Sequence, residues 1–493
     1  MKKSLLSGLF WILIANLLVK PFWILGIEVG VQNAVGTEMY GFYIGIFNIT
    51  YIFNILLDLG ITNFNTRNIA QYPKLIGKHL PSILGIKVLL FLLYIVITFS
   101  VGALLGYSSL QFKLLAWLTF NQFLNSLILY LRSNFEGLLL FKWDSLLSIM
   151  DRLVMIVICG LLLWAPQLSS NGFHFTIFHF VYAQTAAYVI TAVTAVVVLM
   201  HKTGFRGIRF NKPFSLAIIK QSLPFALLVL LMASYNRLDP VMLQKLSPGT
   251  SGDYNAGIYA GAFRLLDALT MIAYLVSVPL LPIFSKMTKG NKSSDRKTEN
   301  KELGDTVRTM FSIVMVFAVT AACTLACMNE ELMGLFYNEN ISDYARVFKI
   351  IIFCIIPIST TYVFGTLLTA AGKLKQLNLY AAASLALNLI VNCICIPRWG
   401  AVGSAWAGLT AQIFMAVAQV VTAMYLFRMR LSAGYIIKLA VFTLFIVALT
   451  FCTPHVTWWL TLTVVGVLAI VLAMILKLID IKEIIKTLKS KEE

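Results

Sequence analysis

Apolar segments of about 20 to 30 residues follow one another along this chain from end to end, broken only by short polar loops. A bilayer core of roughly 30 Å takes about 20 apolar residues to cross as a helix, and a helix satisfies its own backbone polar groups on the way. About fourteen such segments can be drawn, at 4–34, 40–66, 81–107, 112–138, 146–168, 175–200, 216–246, 254–285, 305–329, 346–371, 376–396, 401–427, 434–453 and 457–477. Charged residues make up only 12% of the 493, about half the share usual in soluble domains. The pattern predicts an all-α integral membrane protein whose work concerns something that a membrane obstructs.

The loops offer an independent test. With the N-terminus in the cytoplasm and loops alternating inside and outside, the inside set holds about 25 basic residues and the outside set about five. Lys2, Lys3, Lys74, Lys78, Arg206, Arg209, Lys286, Lys289, Arg428 and Lys482 fall inside; Lys113, Lys245, Arg346, Lys349 and Arg398 fall outside. Such a bias orients a membrane protein and fits both termini inside. It also accounts for the net charge of +18, which in a soluble chain would suggest a nucleic-acid partner. Here the expected partners are membrane lipids, through anionic headgroups of the inner leaflet, and not nucleic acid. Lys2 and Lys3 followed by the run Leu5–Val19 resemble a signal peptide, but the run continues past Pro21 to Val31 without a small-residue cleavage site and reads as the first transmembrane helix. The seven cysteines lie almost all within apolar segments and read as buried thiols. No cofactor or metal site is expected.

An internal match divides the chain. Gly41-x-Tyr43-x-Gly45-x-Phe47 opens the second segment, and Gly257-x-Tyr259-x-Gly261-x-Phe263 opens the eighth. An offset of six segments keeps both copies in one orientation, as in a parallel repeat about the membrane normal. The expected organisation is an N-terminal lobe over 1–212 (helices 1–6) and a C-terminal lobe over 213–430 (helices 7–12). The second lobe contains a cytoplasmic linker at 286–304, and 431–493 adds two further helices and a tail.

Charges inside spans identify candidate functional residues, since lipid exposure of a charge is costly. Lys87, Lys220, Arg308 and Lys438 fall near predicted inner ends and can snorkel to the interface. Lys20, Glu28, Asp58, Arg237, Asp239, Arg264 and Asp267 lie deeper. Arg264 sits about 15 Å into its segment, with Asp267 three residues on along the same face. Arg237 and Asp239 precede Pro240, and Lys20 precedes Pro21, where a proline kink marks a cavity-lining or moving helix. Three deep cations suit an anionic substrate, and arginine matches phosphate oxygens. Arg132 and Glu136, four apart, and Asp151 with Arg152 read as ion pairs or a cytoplasmic gate. Asp144 and Lys142 read as plain loop residues.

Several stretches resemble one family. Gln221-Ser222-Leu223-Pro224-Phe225, Tyr235-Asn236-Arg237-Leu238-Asp239-Pro240, Arg264-Leu265-Leu266-Asp267 and Pro279-Leu280-Leu281-Pro282 look like the seventh and eighth helices of polysaccharide flippases. Ala371-Gly372-Lys373, Asn388, Asn392 and the turn Ile396-Pro397-Arg398-Trp399-Gly400 resemble their tenth-to-twelfth-helix region, and Tyr40-Gly41 with Asp58-Leu59-Gly60 their second helix. The chain is similar to the multidrug, oligosaccharidyl-lipid and polysaccharide (MOP) exporter superfamily, nearest its O-antigen flippase branch. The resemblance implies two lobes, alternating access, a place in the bacterial inner membrane and an undecaprenyl-pyrophosphate-linked oligosaccharide as cargo. By position it implies that Lys20, Arg237 and Arg264 hold the pyrophosphate, with Asp239 and Asp267 as ion-pair or coupling groups. The single deep Lys20 sets the first helix apart from the branch that flips the peptidoglycan precursor, which has a cluster of charges there.

No phosphate-binding loop of the G-x-x-x-x-G-K-[ST] kind is present, which leaves a proton or sodium gradient, or the membrane potential acting on the cargo, as the driving force, with Asp58, Asp239 or Asp267 able to carry a coupling proton. The expected function is a non-enzymatic flippase for surface polysaccharide biosynthesis, working with a polysaccharide polymerase. A drug or cation exporter of the same fold would favour an acidic, aromatic cavity over a cationic one, so Lys20, Arg237 and Arg264 count against it. A membrane polymerase would need large outer loops, and the longest here is about 17 residues, near Asn329 to Ala345.

Overall fold

The computed structural model describes residues 19, 21–62, 65–66, 69, 72, 76–138, 140–165, 174–203, 230–231, 233–234, 236–277, 280–289, 296–429, 432–452 and 458–479. Lys20, the first part of the seventh segment and the linker residues 290–295 lie outside them. Among the described residues the structure is helical, without strands. Ten helices among the described residues are long and apolar enough to cross a membrane, and Trp459–Ile475 is a shorter apolar helix. The chain is a multi-pass membrane protein.

By contacts the chain forms two compact units, Met1–Lys245 with Gly249–Gly257, and Leu246–Pro248 with Ile258–Glu493. In the first unit a π-helical stretch, Trp23–Glu28, runs into α1 (Val29–Val35). There follow α2 (Thr37–Ile52), continued by a 3-10 turn at Phe53–Leu57, then α3 (Ile76–Leu104) and α4 (Ser109–Gly137). α5 (Phe141–Trp164), α6 (Ile177–Thr203) and the short α7 (Asp239–Leu246) complete the set. Ser108 and Gln111 form a reciprocal capping box at the start of α4, which fixes where that span begins. One core holds the unit's α3, α4 and α6 together: Ile83, Ile86 and Leu90 meet Tyr130, Leu131 and Phe135 of α4 and Leu199 of α6.

α8 (Gly252–Ser277) leads into the second unit. It is followed by α9 (Leu280–Lys289), α10 (Arg296–Cys327), the short helices α11 (Asn329–Phe336) and α12 (Ile341–Ile351), and α13 (Ile355–Ala370). α14 (Leu374–Phe427) is continuous in hydrogen bonding yet folds back on itself at Gly400, where φ is 52° and ψ −129°. Residues 27 apart would be about 40 Å apart in a straight helix. Ser384 Oγ nevertheless donates to Ala411 O at 2.7 Å, and the Tyr380 and Thr422 hydroxyls meet at 2.6 Å. α14 is thus a helical hairpin containing the eleventh and twelfth predicted spans, turned by the Ile396–Gly400 motif at a φ that only glycine adopts readily. α15 (Ala433–Cys452) and α16 (Trp458–Ile475) pack on α10, with Tyr435, Phe442, Ile446, Ala469 and Ala473 against Met315, Val316, Val319 and Cys323. They form the expected addition to the twelve-span plan. Their outer faces, such as Leu444, Val467 and Ile475, are bare hydrocarbon, which costs nothing against lipid.

The repeated glycine motif has a direct packing role. A Cβ on Gly41 would overlap the Asp253 carbonyl oxygen, and one on Gly257 would overlap the Thr37 carbonyl oxygen. The N-terminal ends of α2 and α8 therefore touch backbone to backbone, the approach that small residues permit between membrane helices. Gln244 of α7 joins them. Its amide donates to Gly41 O at 3.1 Å and to Asp253 Oδ1 at 2.6 Å, and its side chain fills the space over Gly45. This is why the described end of the seventh segment groups with the first unit. Gly41→Ala is expected to destabilise the protein by about 1–3 kcal/mol, because a backbone carbonyl cannot move aside as a side chain can. Gly77→Ala, with nothing within 4 Å of its added carbon, is expected to be neutral. Thermal unfolding in detergent, followed by intrinsic fluorescence, separates the two.

Candidate functional site

The second span does not run straight through. After the 3-10 turn the chain breaks at Asp58, with Leu59 at φ 46° and Gly60 at φ 81°, before helical turns resume at Ile61. Such a break frees carbonyl groups on one side and amide groups on the other. One ion pair answers both. Lys87 of α3 donates to Leu57 O at 3.0 Å, Asp58 Oδ1 at 2.8 Å and Ser126 Oγ at 2.8 Å. Asp58 in turn accepts from the backbone N–H and the hydroxyl of Thr62, the N-capping arrangement for the next turn. An ammonium at the end of the upper helix and a carboxylate at the start of the lower one both agree with the helix dipoles.

The lysine is 1% exposed and the aspartate 23%. Lys87 was expected to snorkel from an inner end, and that reading is corrected. α3 begins at Ile76, so Lys87 lies about 16 Å into the helix, beyond reach of the interface.

Inward of the break, Asn65 donates to Ser133 Oγ and Asn134 Oδ1 at 2.8 and 3.0 Å, and Thr66 donates to Glu136 at 3.3 Å. Arg132 Nε bonds Asp144 Oδ1 at 2.7 Å. The direct ion pair of Arg132 is with Asp144, while Glu136 remains within its electrostatic reach. Asp144, read as a loop residue, belongs to the first turn of α5 and is buried. The sequence placed that helix's start five residues late.

The same shift applies to Asp151 and Arg152, which lie about 15 Å along α5 rather than near its end. They pair at 3.8 Å, and the Arg152 guanidinium lies 5.3 Å from the Trp23 ring. Trp23 Nε1 donates to Glu28 Oε1 at 3.0 Å, spanning the π-helical turn. Phe180 stacks on Trp23 and meets Tyr43 edge-on. Glu28, Asp151 and Arg152 thus converge on one aromatic-walled cluster inside the first unit.

Arg237 and Asp239 differ in environment although two residues apart. Asp239 is 5% exposed, in the first turn of α7. Arg237 is half-buried, with its guanidinium 5.2 Å from the centre of the Tyr51 ring of α2. In the second unit Arg264 is 5% exposed, and its Nη1 donates to the Tyr337 hydroxyl at 3.0 Å. Tyr337 donates onward to Gly261 O at 3.1 Å and stacks on Tyr344 with ring centres 4.0 Å apart. Tyr337 caps the C-terminal end of α11 and Tyr344 belongs to α12, so the segment near Asn329 to Ala345 reaches a buried arginine. Asp267 is half-buried one turn further along α8.

A neutral methionine at Lys87 would leave Asp58 and the Leu57 carbonyl without their cation. Lys87→Met is expected to cost about 3 kcal/mol, and Lys87→Met with Asp58→Asn to recover much of that. Thermal unfolding of the single and double variants measures both.

Residues 5–288 match the model of a family described as polysaccharide biosynthesis protein. A search of curated proteins gave no match. Among solved structures, the lipid II flippase MurJ in an inward closed conformation is similar at a TM-score of 0.67 and 16% identity, over 94% of this chain and 98% of that one. An inward-facing multidrug resistance MATE family transporter of the MOP superfamily is similar at 0.63 and 12%, over 82% and 94%. A MOP superfamily transporter from Pyrococcus furiosus, described as having a binding pocket of reverse polarity, is similar at 0.53 and 13%, over 86% and 94%. The chain belongs to the polysaccharide biosynthesis protein family and has the fold of the MOP superfamily.

Proposed function

We propose that the protein is a flippase that carries undecaprenyl-pyrophosphate-linked oligosaccharide units from the inner to the outer leaflet of the bacterial inner membrane. The cargo feeds surface polysaccharide synthesis, and a polysaccharide polymerase is the expected partner downstream. The observation that carries the reading is Arg237, a half-buried guanidinium on a membrane segment, resting on an aromatic ring and in no ion pair with another described residue. A cation at that depth is tolerated where it meets water or an anion, and a guanidinium binds phosphate through two parallel hydrogen bonds. Membership of the family and the likeness to a lipid-linked cargo flippase support the same reading.

In this scheme Lys20, Arg237 and Arg264 neutralise the pyrophosphate while the lipid tail stays in the bilayer, and alternating access exposes the sugar outside. Arg264 serves through its bond to Tyr337, which holds the guanidinium until cargo competes for it. Asp239 and Asp267 are the coupling carboxylates for H⁺ or Na⁺. Asp58, engaged by Lys87, serves as an ion-pair residue. Arg132, Glu136, Asp151 and Arg152 act as structural or gating groups, the first two at the inner end of α4 and the last two deeper in α5. Both termini face the cytoplasm, in keeping with the basic loops.

The likeness to a multidrug transporter favours drug export as a second reading. Deep arginines oppose it, since a cationic drug would be repelled. Arg237→Glu is expected to abolish surface polysaccharide while leaving the protein's level in the membrane near that of the wild type. Arg237→Lys is expected to retain part of the activity, because it keeps the charge and loses the planar fork. Immunoblotting of membranes beside polysaccharide gels reads both. Unchanged polysaccharide in the Glu variant would remove Arg237 from the site.

A further inference from the structure

Aromatic side chains run along one side of α2. Tyr40, Tyr43, Phe47 and Tyr51 are spaced three or four residues apart, and each ring contacts the next, at 5.6, 5.7 and 6.1 Å between centres. A ladder with that spacing is ordinary helix packing where it is buried, and its outer half is: Tyr40 and Tyr43 lie in the core of the first unit. The inner half differs. Phe47 is only half-buried and Tyr51 is 37% exposed. Tyr51 sits about 9 Å from the inner end of the span Thr37–Leu57, at hydrocarbon depth.

Exposed aromatic rings at that depth usually face lipid. Tyr51 is marked otherwise by what lies on it. The Arg237 guanidinium stacks 5.2 Å from its centre, and a cation is not held against the acyl chains. Asn54, one turn further along the same face, donates to Gln122 Oε1 at 2.6 Å. This face of α2 therefore combines an open aromatic surface, an amide pair and a cation.

That combination matches the chemistry of a pyranose attached to a phosphate. A sugar ring has an apolar face of axial C–H groups that lies flat on aromatic carbon, and hydroxyl edges that bond amides. In a glycosyl pyrophosphate the first ring is joined to the terminal phosphate through a single oxygen. A phosphate held by Arg237 would thus bring that ring beside Tyr51.

We propose that Phe47 and Tyr51 form a stacking platform for the sugar bonded directly to the pyrophosphate, with Asn54 and Gln122 at its hydroxyl edge. The assignment rests on the flippase reading above and adds to it where the first sugar is recognised. The platform reads the ring's flat face, so it requires a hexose or N-acetylhexosamine in that position and is indifferent to the outer sugars.

The test compares two probes on the purified full chain in nanodiscs: undecaprenyl pyrophosphate, and undecaprenyl pyrophosphate bearing one N-acetylhexosamine. The wild type is expected to bind the second more tightly. Tyr51→Ala should erase that preference, weakening the sugar-bearing lipid about tenfold and the bare lipid far less. Tyr51→Trp should keep the preference, and Arg237→Gln should weaken both lipids alike. If Tyr51→Ala weakens both probes equally, the ring only orients Arg237 and the platform is refuted. If the wild type binds both lipids without preference, the first sugar is not recognised here and the platform is likewise refuted, while the flippase reading stands. Failure of the wild type to bind either lipid would overturn the flippase reading and the platform with it. Thermal unfolding of each variant guards against reading a misfolded protein as a weak binder.

Discussion

A charge placed inside a hydrocarbon slab persists only with a partner or with water, and the arrangement of this protein's spans follows from how that choice is made residue by residue. Lys87 takes a partner. Its ammonium joins three elements, the broken end of the second span, α3 and α4, at a point where the backbone itself needs capping. The break at Asp58–Gly60 and the ion pair are one structure. Without the break there is no free carbonyl for the lysine, and without the lysine the break leaves polar backbone groups in an apolar interior. Arg237 takes the other course. It leans on the Tyr51 ring and retains partial exposure, with no ion pair to another described residue.

These two outcomes separate scaffold from site. Asp58 and Lys87, Arg132 and Asp144 are pairs closed at 2.8 and 2.7 Å, and they hold one end of the first unit in one geometry. The backbone contact of Gly41 with the start of α8 and the bonds of Gln244 fix its other end. Between them lies the face of α2 that carries Tyr51.

Much of the fold was legible in the sequence because the bilayer imposes one length on every crossing. Most described spans coincide with the apolar segments within about five residues, and the Ile396–Gly400 turn is where the eleventh and twelfth were divided, whereas the second segment is broken at Asp58 and the eighth takes in both α8 and part of α9. The charged residues were less legible. Lys87 was read as an interfacial residue and Asp144 as a loop residue because an apolar window does not register the polar first turns of α3 and α5. An error of five residues at a helix start moves a side chain by more than a turn. The partners were harder still. Nothing in the spacing of Asp58 and Lys87, 29 residues apart, or of Arg264 and Tyr337, 73 apart, indicates that they meet, since tertiary packing alone brings them together. Arg132 and Glu136 show the converse, a helical spacing that suits an ion pair while the arginine bonds elsewhere.

The central claim is that the cargo is a lipid-linked oligosaccharide and that the protein changes the leaflet in which it resides. The direct measurement is the sidedness of that lipid in spheroplasts, labelled with a membrane-impermeant sugar reagent, with the gene deleted and with it restored. The account predicts complete repeat units that remain on lipid but resist labelling in the deletion, and become labelled on restoration. Equal labelling in both, in cells with no second flippase for the same lipid, would contradict it.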